Sequence, residues 1–308
     1  MFKYILKRIL FGIMTVWLIA TLTFFLMHVM PGDPFLSEKA VPVAVRQKLL
    51  EKYNLDKPLH TQYFIYMKNL VKGDLGISMK YRNRRIGDVI KKHFPYSLDL
   101  SINALILALS LGLIIGIIAA LNRGKFFDTF SILVAVIGIS VPSFVLSGLL
   151  QLIFSSWLKW LPYARYEGFR FKILPTIAVA IGPLAVIARM TRASVIEVLN
   201  QDFIKTARSK GLPLYRIVWK HILRNAIMPV IAYVGQLFAT ISTGSYVIER
   251  MFVIPGLGNS YVESIENQDY TMVFGLTIFY SIILVSVLAI VDILYKVIDP
   301  RVRLTKKS

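Results

Sequence analysis

Long uncharged runs separated by short basic stretches set the pattern of this chain. Ile9 to Met30 is uncharged over 22 residues and follows a basic start, Met1 to Arg8. Further uncharged runs cover 100–121, 129–158, 173–188, 226–248 and 270–291. A helix rises about 1.5 Å per residue, so most of these reach the roughly 30 Å of a bilayer's hydrocarbon, and 173–188 does so with its flanking residues. The first run is longer than a secretory leader's apolar stretch and has no small-residue cleavage site before Pro31-Gly32-Asp33-Pro34, so it reads as a retained span. The pattern predicts an all-α, polytopic membrane protein with six transmembrane helices and both ends on one side.

Between the first two spans, residues 31–97 carry shorter helical faces: Val45, Leu49, Leu50 and Tyr53; Tyr63, Met67, Leu70 and Val71; Ile86, Val89, Ile90 and Phe94. Asn54 and Gly73 are placed to stop the first two. A small helical cap is expected there rather than a loose loop. The chain thus divides into an N-terminus with the first span (1–30), the helical segment 31–97, a five-helix core 98–298 that includes a loop at 189–225, and a tail at 299–308.

The loop between the fourth and fifth spans is unusually helical and basic. From Asp202 to Pro229 it reads DFIKTARSKGLPLYRIVWKHILRNAIMP. Val195, Ile196, Val198, Leu199, Ile204 and Ala207 form one helical pattern ending at Gly211, a residue type that takes positive φ without a Cβ penalty. Pro213 suits the first turn of a second helix, which presents Leu214, Ile217, Val218 and Ile222 on one side, with Arg216, Lys220 and Arg224 off it. On pattern alone this is either a connector lying on anionic lipid headgroups or a helix, elbow and helix that meet a partner.

The 308 residues are 56% hydrophobic and 17% charged, with a mean hydropathy of +0.62. An ordinary soluble domain is about a quarter charged. A net charge of +19 would suit nucleic acid, but the basic residues sit at the edges of apolar runs, where they anchor spans, so no nucleic-acid partner is expected. With the N-terminus inside, 18 of the 36 Lys and Arg residues fall in internal segments and 5 in short external loops. The other 13 lie in 31–97, a segment long enough to translocate regardless of charge. Both termini and the 189–225 loop are therefore expected in the cytoplasm, with 31–97 outside.

Polar residues inside the runs are few. Gln236, Thr240 and Thr243 share one helical direction and should face protein or a water-filled path, with interhelical hydrogen bonding as the alternative. Ser140 and Ser143 flank Pro142, which should kink the third run. Asp292 is expected to pair locally with Lys296, and His28 to hydrate near the outer interface. No cysteine is present, and no GxxxxGK[ST], HExxH or GxSxG string occurs, so no catalytic residue, metal ligand or nucleotide site is expected in this chain.

The Asp202–Pro229 stretch resembles the cytoplasmic coupling loop of ABC-importer permeases. Aligned on Gly211, Lys205, Thr206 and Ala207 stand where the general pattern has Glu-Ala-Ala, and His221, Leu223 and Arg224 where it has Ile, Leu and Pro. The strings DFIKTARSKGL and RNAIMP are closer to the variant in permeases of the dipeptide/oligopeptide family, which also handles nickel and opines. YNLDKPLHTQY, GDLGIS, the Glu249, Phe252, Pro255, Gly256, Gly258 and Asp269-Tyr270 set, and DILYKVIDPRVR resemble other parts of that family, so the likeness covers nearly the whole chain.

This resemblance implies a permease subunit of an ATP-driven peptide importer in a bacterial inner membrane. Its partners would be a second, similar permease, two cytoplasmic ABC ATPases, an extracytoplasmic peptide-binding protein and membrane lipid. ATP and magnesium would sit on the ATPases, with no cofactor in this chain. Lys205, Thr206, Ala207, Arg208, Ser209, Gly211 and Leu212 would form the ATPase-coupling loop, and Gln236, Thr240, Thr243, Ser140 and Ser143 would border the translocation path. A same-family permease for nickel chelates or opines is the nearer alternative. A self-sufficient channel or secondary transporter is the more distant one; it predicts repeats, broken helices or buried charges, and the sequence shows no clear repeat or buried charge pair.

Overall fold

A computed structural model describes residues 2–29, 43–81, 83–242 and 245–298, with the side chains of Phe2, Val43 and 294–298 outside the description. The helices in chain order are α1 Phe2–Val29, α2 Val43–Lys52, α3 Leu59–Val71, α4 Ile86–Leu121, α5 Phe126–Ser140, α6 Ser143–Leu150, α7 Phe169–Leu199, α8 Asp202–Ser209, α9 Leu214–Arg216, α10 Leu223–Ala226, α11 Met228–Ser242, α12 Tyr246–Met251, α13 Leu257–Glu266 and α14 Tyr270–Ile298. Wider, π-helical turns extend α6 through Gln151–Trp157 and join α9 to α10 through Ile217–Ile222. Residues 30–42, Thr243 and the tail 299–308 lie outside the described residues.

Among the described residues, four helices are long and apolar enough to cross a membrane: Lys3–Val29, Ile86–Leu121, Phe169–Leu199 and Tyr270–Ile293. Two bent pairs, Phe126–Ser140 with Ser143–Trp157 and Leu214–Ala226 with Met228–Ser242, make six if each counts as one span. The outward faces carry bare aliphatic side chains, such as Leu10 at 58%, Ile13 at 61% and Leu26 at 64% exposure, as lipid contact requires.

Three expectations change. The 129–158 run is not a kinked helix but is broken by 105°. Val141, the residue before a proline, is extended at ψ 120°, and Pro142 stands just ahead of α6 rather than inside a helix. The 226–248 span ends at Ser242, and Tyr246–Met251 forms a separate short helix. The third face of the 31–97 segment, Ile86 to Phe94, is not a separate helix; it runs through Pro95 into the second span as the 36-residue α4.

The chain forms two compact units; two of the three boundaries fall inside α4 and α14, and the third falls just before α13. The first comprises Met1–Tyr96 and Gly256–Ala289. Within it, Ile86, Val89 and Ile90 pack with Leu257, Met272 and Leu276. Buried Asp269 ties the stretch after α3 to the start of α14: it accepts from the Ser78 hydroxyl, from Met79 N at 3.0 Å and from Met272 N at 3.3 Å. Asn54 and Gly73 do stop α2 and α3, at φ 58° and 77°. His28 does not simply hydrate: its Nε2 lies 3.0 Å from Gln62 Oε1 of α3 and its Nδ1 2.8 Å from the Phe24 carbonyl.

The second unit, Ser97–Pro255 with Ile290–Ser308, has a core of Ala104, Ala108, Ala180, Ile187, Val230 and Leu237. Small residues bring α4 against α7. A Cβ on Gly112 would lie 2.8 Å from Ile187 Cγ2, and one on Gly116 2.6 Å from the Ala188 carbonyl oxygen. Glycines four apart on one face allow this near-contact of two helix backbones.

Candidate functional site

Beyond the long α7, the chain turns at Asn200 and at Gln201, whose backbone is extended, and starts α8 at Asp202. The sequence pattern from Val195 to Ala207 is therefore two helices, one leaving the membrane and one short. In α8 the faces divide sharply. Ile204 and Ala207 are buried with Val195, Ile217, Ile222 and Ala226, while Lys205, Thr206, Arg208 and Ser209 are exposed. Asp202 in the first turn suits the positive end of the helix dipole. Its carboxyl is held below the usual carboxylate range by the hydrogen bond from Lys205 Nζ at 2.8 Å.

Gly211 has φ 72° and ends α8 with two bonds: Gly211 N–H donates to Arg208 O at 2.9 Å and Leu212 N–H to Ala207 O at 3.3 Å. This crossed pair is the standard left-handed helix stop. A Cβ there would meet nothing within 4 Å, so only the backbone conformation calls for glycine. Pro213 stands one position before the α9 helix rather than in its first turn. Of the predicted apolar face, Ile217 and Ile222 are buried and Val218 is partly so, whereas Leu214 is 53% exposed.

The seven coupling-loop residues thus sort by side. Ala207 and Leu212 pack inward and fix the elbow to α7 and to the Ile217–Ile222 turn. Lys205, Thr206, Arg208 and Ser209 form the outward face, with Thr206 and Ser209 hydroxyls donating to the Asp202 and Lys205 carbonyls at 3.1 Å. The face offers charge at Lys205 and Arg208 and little unsatisfied polarity elsewhere.

On α11, Gln236 and Thr240 are exposed on one side, while Gly235, Leu237 and Ala239 are buried on the other. The Thr240 hydroxyl donates to the Gln236 carbonyl at 3.0 Å. Ser140 and Ser143 are exposed on the two sides of the 105° break. These pairs belong to different elements, and Thr243 lies outside the described residues.

Sequence reasoning missed the buried and half-buried polar pairs of this unit. Arg192 of α7 holds Asp128 of α5 with Nε at 2.5 Å and Nη2 at 2.9 Å, and Gly124 N–H donates to the same carboxylate at 2.9 Å. The expectation of no buried charge pair is overturned: Asp128 is 3% exposed. Asp99 accepts from Tyr166 Oη at 2.7 Å and pairs with Lys172 at 2.7 Å, and Ser97 donates to fully buried Glu249 at 2.7 Å. An acid bordering an apolar run was the available signal. For the expected Asp292–Lys296 pair, the lysine side chain lies outside the described residues.

Among the described residues, up to six candidate spans, two of them bent, define a polytopic helical membrane protein. The model of the binding-protein-dependent transport system inner membrane component matches residues 112–304, and that of the N-terminal membrane component of such systems matches 1–101. The chain belongs to this family. It is 46% identical to the dipeptide transport system permease protein DppB of Bacillus subtilis, over 100% of both chains. It is 43% identical to the oligopeptide transport system permease protein OppB of Salmonella typhimurium, over 98% of this chain and 100% of the relative. An inward-facing structure of the MetNI methionine ABC transporter shares the fold, with TM-score 0.55 and 14% identity over 68% of this chain and 96% of that chain. Broken helices and a buried charge pair, which would suit a self-sufficient transporter, here occur in an ABC-importer permease.

Proposed function

We propose that this chain is a transmembrane permease subunit of an ATP-driven importer of peptides, forming half of the translocation path. The observation that carries the reading is identity of 41–46% with dipeptide and oligopeptide permeases over 98–100% of the chain. Its partners are a second similar permease, two cytoplasmic ABC ATPases that bind ATP and magnesium, and an extracytoplasmic peptide-binding protein. The chain lies in the bacterial inner membrane with both termini in the cytoplasm.

Coupling needs a rigid element that a partner can push. The exposed Lys205, Thr206, Arg208 and Ser209 meet the ATPase, while Ile204, Ala207 and Leu212 transmit its movement to α7 and to the helix after Gly211. Gln236, Thr240, Thr243, Ser140 and Ser143 border the path. An exposed polar stripe on an otherwise apolar helix is tolerated in a membrane where it faces water or another subunit. The path is wide and makes backbone-directed contacts, with selectivity mainly in the binding protein.

Uptake of radiolabelled di- and oligopeptides, set beside nickel uptake, in cells lacking this chain tests the cargo. Peptide uptake should fall and return on complementation. Intact peptide uptake with loss of nickel uptake would give the chain to the nickel branch of the family.

A further inference from the structure

Within the second unit, α4, α5 and α7 enclose a cavity of about 220 Å³. Its apolar wall includes Ile115 of α4 and Ile132, Val136 and Ile139 of α5. The last three are 44%, 53% and 42% exposed, so this wall continues onto the outward surface of α5. Arg189 and Arg192 of α7 bound the same cavity.

The helix register separates the two kinds of wall. Gly138 of α5 lies against Ile181 and Ala185 of α7, and Asp128 meets Arg192, so α5 and α7 run antiparallel. The arginines therefore lie toward the start of α5 and Ile139 lies toward its end. Arg192 commits Nε and Nη2 to Asp128, which leaves its Nη1 donors for another acceptor. Arg189 is exposed, as are Arg123 and Lys125 in the turn before α5. Around one carboxylate, Asp128, the charge balance is strongly positive.

An apolar slot open to the bilayer and closed at one end by arginines fits a molecule with an anionic head and a hydrocarbon tail. We propose that this cavity binds an acidic phospholipid, its phosphate on Arg189 and the free edge of Arg192 and an acyl chain along Ile132, Val136 and Ile139. Basic pockets between membrane helices take such headgroups by charge-assisted, often bidentate hydrogen bonds. The site does not depend on the cargo. It lies at the end of α7 that leads into α8, so bound lipid would brace the helix that carries the coupling loop.

The test uses the full chain, purified with its partner subunits and exchanged into nanodiscs of phosphatidylcholine containing a minor fraction of phosphatidylglycerol. Native mass spectrometry should find phosphatidylglycerol retained in preference to phosphatidylcholine. Arg189→Gln should lower that preference about tenfold, the effect of losing one charge-assisted contact. Lys159→Gln, an exposed lysine that does not line the cavity, should leave it unchanged. Ile132→Trp should reduce retention while both arginines remain. Equal retention of the two lipids by the unaltered chain, or an Arg189→Gln preference equal to that of Lys159→Gln, would overturn the site. So would a photo-crosslinker at Val136 that captures a polypeptide rather than lipid, which would make this face a subunit interface.

Discussion

At Gly211 the backbone stands at φ 72° with open space where a Cβ would be, so the effect of a substitution there is conformational rather than steric. Gly211→Val should cost on the order of 1–2 kcal/mol locally and turn the following helix away from α8. Gly211→Asn, which tolerates the left-handed region, should be close to neutral. Uptake in cells normalised to membrane level separates these outcomes, and equal uptake by both variants would remove the elbow's role. At Asp128 the logic is electrostatic. Asp128→Ala leaves the half-buried Arg192 without its partner and should destabilise by about 1–3 kcal/mol, whereas Asp128→Leu with Arg192→Leu should be milder than either single change, as seen in thermal unfolding in detergent. Gly211 was legible because a helix stop is written in neighbouring residues. The Asp128–Arg192 pair was not, because its members are 64 positions apart and nothing local to either names the other.

Elements were legible where their signals are local. The six apolar runs, the helices of the 31–97 segment and the stops at Asn54 and Gly73 follow from hydrophobic period and cap chemistry. The size of the break at Pro142 was not legible, since a proline in a membrane helix yields anything from a mild kink to the 105° turn found here, and neighbouring helices decide which. Nor was the split between α7 and α8, where apolar spacing continues across Asn200 and Gln201. The Gly112-x-x-x-Gly116 spacing was present in the sequence, and its meaning lies in the approach of α7. Gly116→Ala drives a methyl group to 2.6 Å from a backbone oxygen and should lower stability by about 1–3 kcal/mol. Gly87→Ala, in the same helix with nothing within 4 Å, should be neutral or slightly stabilising. Equal thermal shifts for the two would deny that α4 and α7 depend on close approach.

For the whole molecule, we propose from the basic bias of the sequence that α8 and α3 lie on opposite sides of the membrane. The chain has no cysteine, so single cysteines report sidedness directly. Asn69→Cys should react with a membrane-impermeant maleimide added from outside the inner membrane, and Ser209→Cys only after that membrane is opened; the reverse order would invert the topology and remove α8 from the cytoplasm. We propose that this permease is driven by partners through the Asp202–Pro229 stretch. The most direct test is recovery of the chain from its native membrane in mild detergent, with the co-purifying proteins identified and assayed for ATP hydrolysis. Recovery of a P-loop ATPase and a second polytopic subunit, with the ATPase lost when Lys205 and Arg208 are both reversed in charge, is the predicted result. Recovery of the chain alone, or only with copies of itself, would leave the Asp202–Pro229 stretch without a driving partner and rule out that coupling.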